Sequence, residues 1–350
     1  MINSEIYSIL DDINSYEPKV KNVDICCGLS WGDEAKGKIV SHLTKVNNYD
    51  FVCRWGGGSN AGHTIYKDGV KFKTHIVPCG IFYGVKSIIG PGCVVNKKLF
   101  QKEIHYLNSY GFDTSLIKIH RNAHIITEDH ISADKEGYKS QGSTNNGIAP
   151  CYRDKYARIG RQVGKDDFFY KYLWDQQLYG NILCEGAQGY WLDIDKGNYP
   201  YVTSSTTLPY GACSLGFSPK LIRNIYGACK MYDTRVGTDP EFPETLLDNL
   251  DFKQIIEVGQ EYGTTTNRIR KVNWLNMDKL IEAINVSGTN IVVISKVDVI
   301  EKVKIYKIIH NNKIVTFNDI SEMKTEISNI LNSNCQNLER IIYSSALEGL

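Results

Sequence analysis

An α/β fold with a large, mostly parallel central sheet is predicted by three features of this 350-residue sequence: short apolar runs of strand length, the glycine-rich turns that end them, and helix-period segments between them. In chain order, Ile6, Ile9, Leu10 and Ile13 recur at helical spacing, so residues 1–22 read as a helical preface. VDICCGLSWGDEAKGKIVSHL then reads as strand, glycine-rich turn and helix, and YDFVCRW as a strand that runs into GGGSNAGHT. KSIIGPGCVV, NILCEG, IRNIYGACKMY and NIVVISKVDVI supply further buried-strand candidates, several of which end on Gly, Asp, Thr or Lys. Strand ends are where open α/β sheets place ligands, so helices on both faces and long active-site loops complete the expectation. No Pro/Ser-rich linker or internal repeat marks a boundary, and residues 23–350 are read as one domain.

Composition narrows the function classes. A formal charge of +1 gives no global field for a nucleic acid or an anionic membrane, so phosphate binding must come from local constellations and small ligands are favoured. No apolar run approaches the roughly 20 residues of a bilayer span, and no leader pattern opens the chain; a cytoplasmic or host-cytoplasmic setting is expected. The ten cysteines lie mostly within apolar runs, without a CxxC pair or a histidine at zinc spacing, and are expected as buried free thiols.

Two loops carry the chemistry. Gly32 to Lys38 has the GxxxxGK spacing of a phosphate loop, in which backbone N–H groups at a helix N-terminus cradle anionic oxygens. Ile39 follows where a Ser or Thr would hold magnesium, so the metal ligand must come from elsewhere, with Asp33 as the candidate. In the second loop, three glycines, Gly56 to Gly58, permit close approach of a ligand to the backbone, and His63 stands ready for acid or electrostatic work.

WGDEAKGK, GGGSNAGHT, GSTNNGIAPCYRDKYAR, EGAQGYWLDIDKGNYPYVTSS, YDTRVG followed by FPE, YGTTTNRIRKVNWL and SKVD resemble, in the same order, the signature segments of the adenylosuccinate synthetase family, over roughly Asp24 to Asp298. The resemblance implies a ligase that joins L-aspartate to a purine monophosphate, IMP, with GTP as phosphoryl donor and Mg²⁺ as metal. It implies Asp33 as the base that takes the ring proton and as a metal ligand, the Gly62 backbone as a second metal contact, and His63 as the group that stabilises the transferring phosphoryl. Asn60, Thr144, Gln188 and Thr203 match positions around the purine monophosphate, and Arg158 matches an arginine that reaches in from a second subunit, which implies a homodimer. Thr264, Thr265, Thr266 and Arg268 match the aspartate-binding loop. For the triphosphate the match covers Gly32, Glu34, Lys36, Gly37, Lys38, Gly62, Thr64 and Arg270, with Lys296 and Asp298 in the guanine-reading SKVD element. An Asp carboxylate there can accept from both the ring N–H and the amine of guanine.

Ser30, Ala35, Asn145, Asn146 and Asn267 depart from the usual family residues, with Gln usual at the first of these positions and Gly at the second. The spans between Arg158 and Gln188 and after Asp298 are short, as in compact archaeal and viral members, and Ser344, Ser345 and Ala346 match the C-terminal triphosphate contact weakly. Compact phage relatives act on dGMP, which gives a second substrate reading; a GTP sensor without catalysis is the reading from another class. The retained Asp33, TRVG and SKVD favour IMP.

Overall fold

The computed structural model describes residues 20–137, 144–263, 268–346 and 348–350. β1 (Val20–Gly28) runs through the glycine-rich turn into α1 (Lys36–Val46), and β2 (Phe51–Arg54) runs into the second glycine loop. A hairpin of β3 (His63–Lys67) and β4 (Val70–Thr74) precedes β5 (Lys86–Ile89), β6 (Val94–Asn96), α2 (Lys97–Ser109), β7 (Ile117–His120) and β8 (His124–Ile126). α3 (Glu128–Gly137) and α4 (Ile148–Tyr156) lead to β9 (Leu173–Trp174), β10 (Gly180–Glu185), β11 (Ile222–Lys230) and β12 (Tyr232–Arg235). The last third holds α5 (Leu250–Gly259), β13 (Lys271–Asn276), α6 (Met277–Ser287), β14 (Ile291–Ser295), α7 (Val297–Val303), β15 (Lys307–His310), β16 (Lys313–Thr316), α8 (Ile320–Asn334) and β17 (Arg340–Tyr343).

Nine strands form the central sheet in the order β17-β14-β11-β1-β10-β2-β5-β7-β9. Every neighbouring pair in it is parallel, so the sheet expected to be mostly parallel is wholly so among the described residues. The continuous apolar runs follow from this, because a strand covered on both faces has no polar side to show. Side chains alternate between two cores: Ile25, Phe51 and Ile182 pack on one face with residues of α5, α6 and α8, while Cys26, Val52 and Leu183 pack on the other with α1 and α2. A smaller sheet, β12-β13-β15-β16, adjoins the first of these cores. All ten cysteines are free, and nine are buried. No described helix is long and apolar enough to cross a membrane.

The helical preface read for residues 1–22 needs one correction. Residues 1–19 lie outside the described residues, but Val20, Lys21 and Asn22 belong to β1, where Val20 pairs with Gly180 and Asn22 Nδ2 donates to Asn181 Oδ1 at 3.0 Å. Strand pairing claims these residues for the sheet.

β1 lies fourth of nine, between β11 and β10, and its C-terminal end opens the cleft that carries the site. α1 starts there with no side-chain cap, whereas α2, α6 and α8 are capped by Asn96, Asn276 and Asp319. Lys38 N and Ile39 N donate to Ala35 O, and no described side chain caps the N–H groups of Lys36 and Gly37 ahead of them, the arrangement that suits an anion.

Candidate active site

A cavity of about 360 Å³ opens at the C-terminal ends of the strands. It gathers nine of the residues singled out in the sequence: Gly32 and Asp33 from the first loop, Asn60, Gly62 and His63 from the second, then Thr144, Gln188, Thr203 and Arg268. Each is set by its own local structure. Asn60 Oδ1 accepts from Gly58 N, folding the glycine loop on itself. Thr203 is held because its N–H donates to Leu192 O, while buried Asp193 accepts from Thr207 N at 2.6 Å and anchors the far end of the same loop. Gln188 sits in the left-handed region at φ 57°, and its side-chain oxygen is buried with no partner among the described residues. A Cβ at Gly57 would lie 3.1 Å from that oxygen, which is one reason the second loop needs glycine.

His63 is backed by a residue that motif spacing alone did not single out. Its Nδ1 is in a short contact with Glu185 Oε1, and Glu185 Oε2 accepts from Cys79 N at 2.7 Å. Glu185 is completely buried. Burial pushes its carboxyl up, but His63, the Arg54 guanidinium 3.9 Å away and the Cys79 N–H together hold it below the ordinary range. An ionised Glu185 keeps the proton on Nδ1 and so presents Nε2 of His63 to the cavity. The signal was available inside EGAQG, where Glu185 opens the segment that also carries Gln188.

Asp33 faces a cation. Arg270 Nε and Nη2 lie 2.8 and 3.0 Å from its two carboxylate oxygens, a bidentate pair. The third nitrogen, Nη1, donates to Glu261 Oε2 at 2.7 Å, and Glu261 also accepts from Lys230 and from the Tyr232 hydroxyl. None of Glu261, Lys230 and Tyr232 was evident as a site residue in the sequence, since their chemistry exists only once β11, β12, Glu261 and Arg270 meet. Arg235, which also lines the cavity, ties two of its walls together through Nη2, donating to Tyr201 O and Thr238 O.

The remaining expected residues divide. Lys36 and Glu34 bind each other instead of facing outward. Lys36 Nζ lies 2.5 Å from Glu34 Oε2 and also donates to Gly32 O, while Glu34 Oε1 accepts from Ser30 N and Gly32 N. Both are almost wholly buried, and a cation so placed needs its carboxylate. Gly37 packs against His63, and Thr64 follows it in β3. Lys38 points the other way: its Nζ donates to Ser344 Oγ at 2.6 Å and Ala346 O at 2.8 Å, which draws the C-terminal segment over α1. Burial lowers Lys38 to about 8, with Asp298 opposing and Lys296 assisting. Lys296 caps α7 at φ 66°, with its Nζ on Gly259 O, and Asp298 lies in the first turn of that helix. Arg158 does not line its own chain's cavity; it is exposed at the end of α4 between exposed Tyr156 and Ile159. Thr264, Thr265, Thr266 and Asn267 lie outside the described residues.

Oxygen donors for a hard dication are present: the Asp33 carboxylate and the Gly62 backbone border the same cavity, which fits Mg²⁺.

A parallel central sheet whose strand ends carry a glycine-rich turn running into a helix, a carboxylate-backed histidine and an aspartate–arginine pair has the layout of an α/β enzyme with its site at the strand ends. The chain belongs to the adenylosuccinate synthetase family: the family's model matches residues 25–178 and 166–341. It is 36% identical over 342 residues to the adenylosuccinate synthetase of Brevibacillus brevis, covering 81% of this chain and 79% of that protein. To the enzyme of Flavobacterium johnsoniae it is 38% identical over 345 residues, covering 82% and 81%. Among solved structures it resembles the fully ligated adenylosuccinate synthetase of Plasmodium falciparum, with a TM-score of 0.79, 26% identity and coverage of 93% and 98%. It also shares the fold of the succinoaminodeoxyadenylate synthetase of cyanophage S-2L bound to dGMP and dATP, at TM-score 0.72, 19% identity and 94% coverage of both.

Proposed function

We propose that the chain joins L-aspartate to position 6 of IMP, converting IMP, aspartate and GTP into adenylosuccinate, GDP and phosphate in a cytoplasmic setting. The observation that carries this reading is the convergence of Asp33, His63, Gln188, Thr203 and Arg268 on one cavity at the end of β1. A 6-oxo group is a poor leaving group, so the reaction is divided. Asp33 takes the ring proton beside the 6-oxygen, which then attacks the γ-phosphoryl and breaks its bond to GDP. His63, through Nε2, meets the charge on the transferring group. The aspartate amine next forms the bond to C6, phosphate leaves, and the amine's proton passes to solvent. Mg²⁺, when held by Asp33 and Gly62, offsets phosphate charge.

Arg268 suits a carboxylate because its planar fork matches two oxygens. Lys38, which holds Ser344 and Ala346, and Lys296 and Asp298 at the start of α7 are proposed to contact the nucleoside triphosphate. Arg158, exposed beside two exposed apolar residues, is proposed to complete the site of a second copy in a homodimer. Mixing inactive Arg158→Leu and Asp33→Asn chains should then restore partial turnover.

The test is a panel of IMP, dIMP, GMP and dGMP, each with aspartate and with GTP or ATP, followed by product and phosphate release. IMP with GTP should give the highest kcat/KM. If dGMP is used at least about tenfold more efficiently, a difference of about 1.4 kcal/mol, the purine assignment fails. Phosphate release independent of aspartate and purine would remove the ligase reading.

A further inference from the structure

Arg270 and Glu261 are neighbours twice over. The backbone joins them, since Arg270 N donates to Glu261 O at 3.0 Å, and the flanking Tyr262 and Ile269 form a bridge. Their side chains join as well, through Nη1 and Oε2. Glu261 has no solvent exposure, and it is fixed from the other side: Lys230 Nζ donates to the same Oε2 at 2.9 Å and the Tyr232 hydroxyl to Oε1 at 2.6 Å. Lys230 is itself held by Thr234 Oγ1. The Glu261 carboxylate therefore has partners on both oxygens before Arg270 is counted. Arg270 has its three nitrogens divided between two carboxylates at opposite edges of one plane, and that plane ends on Asp33.

We propose that Glu261 is a positioning residue for the reaction: it fixes the plane of the Arg270 guanidinium, so that the fork of this triphosphate-binding cation is held in place beside Asp33. The proposal rests on the ligase reading above for the roles of Asp33 and Arg270. The fork that faces Asp33 also matches phosphate oxygens, so the orientation Glu261 gives it bears directly on triphosphate binding.

Glu261 acts through Arg270, which makes the two non-additive. Arg270→Met should weaken GTP binding by about 10- to 10²-fold, the loss expected for hydrogen bonds to a charged group. Glu261→Gln should weaken it by roughly 3- to 10-fold, and the double variant should bind within about twofold of Arg270→Met alone. Losses that multiply in the double variant would overturn the proposal, because Glu261 would then serve some other purpose. A second cycle needs no ligand. In the empty protein Asp33→Asn and Arg270→Met should be non-additive in Tm, by on the order of 2 °C, and this coupling should vanish on a Glu261→Gln background. Persistence of the coupling would mean that Arg270 finds Asp33 unaided, and the proposal would fall. If Glu261→Gln does not fold, Tyr232→Phe, which removes one donor and keeps the charge, replaces it in both cycles with the same outcomes on a smaller scale. A wild-type chain that ligates no purine would end the ligase reading, while the Tm cycle would still decide the placement of Arg270.

Discussion

Two buried carboxylates on either side of β12 have opposite characters. Tyr232 and Thr234 point to one side of that strand, toward Glu261 and Lys230; Asp233, between them, points to the other and meets Ser30 and Asn276. On the first side burial would push the Glu261 carboxyl up, but Lys230, Arg270, Lys296 and the Tyr232 hydroxyl outweigh it and hold it at about 2. On the second side burial prevails. Asp233 accepts one backbone N–H from Asn276 at 2.9 Å and a long contact from Ser30 Oγ, no cation pairs with it among the described residues, and its pKa rises to about 7. Burial is nearly equal in the two places, at 0% and 4% exposure, so the partners decide the charge state. The cation-rich side faces the base of the proposed reaction; the other side underlies the phosphate loop.

The largest effect expected is at the end of the cation-rich network. Asp33→Asn removes the proposed base and an oxygen donor for the metal, and it leaves Arg270 without its bidentate partner. Turnover should fall by on the order of 10³-fold or more with the far-UV spectrum unchanged. Activity within tenfold of wild type would break the distinction between the two sides, because the charge network would then have no chemical object.

Glu185 gives the same comparison a third member, a buried carboxylate whose partner is a histidine. Glu185→Gln can donate to Nδ1 of His63 instead of accepting from it, which puts the ring proton on Nε2. A fall in kcat of about 10²-fold with little change in KM for IMP is expected, the size of a misplaced acid–base group. A rise in KM alone would show that Glu185 shapes the pocket without setting the histidine. Folding should be checked by thermal melting, since Arg54 loses its neighbouring charge.

Much of this architecture was legible beforehand, and the reason is physical. Strands such as NILC and NIVVIS read as unbroken apolar runs because both faces of the sheet are covered, and glycine loops at their ends mark where backbone must approach a ligand closely. Asp33 and His63 were legible because each lies inside such a loop. Their partners were not: Arg270 lies 237 residues from Asp33 in the chain, and Glu185 lies 122 from His63. Charge state was equally hidden, since neither YDTR nor EYG shows which carboxylate meets a lysine. The ion pair between Lys36 and Glu34 was hidden as well, since the motif gives the two residues but not that they bind each other.

The unpaired side of β12 predicts a pH dependence of stability. Asp233 is raised from an ordinary value of 3.8 to about 7, so between those limits the folded chain keeps a proton that the unfolded chain has released. Stability from this group is therefore present in full below pH 4 and lost as pH rises to about 7. Asp233→Asn removes the loss. Relative to wild type, the variant should gain a few kcal/mol between pH 4 and pH 8, read by denaturant unfolding at the two values. Glu261→Gln should do the reverse, its deficit shrinking as pH falls from 4.5 toward 2. Parallel pH curves for the two variants would erase the contrast between the sides.

The smallest effect concerns the loop above Asp233. Ala35, the residue before α1, adopts φ 65° and ψ 31°, in the left-handed region where an L side chain is strained by about 1–2 kcal/mol. Glycine, which the family usually has there, would relieve that strain, but it also gives the unfolded chain more freedom, worth about 0.4–1 kcal/mol against folding. The net gain for Ala35→Gly is therefore about 0.5–1 kcal/mol, and it should be independent of pH because no titrating group changes. Ser30 N and Gly32 N already bind Glu34, so the loop's shape is fixed by that carboxylate and kcat should change less than twofold, about 0.4 kcal/mol. A pH-dependent gain would mean that Ala35 strains the loop through Glu34 and Asp233. A large change in kcat would mean that the strained alanine holds the loop in its working form, and the loop would then belong with the charge network around Asp33.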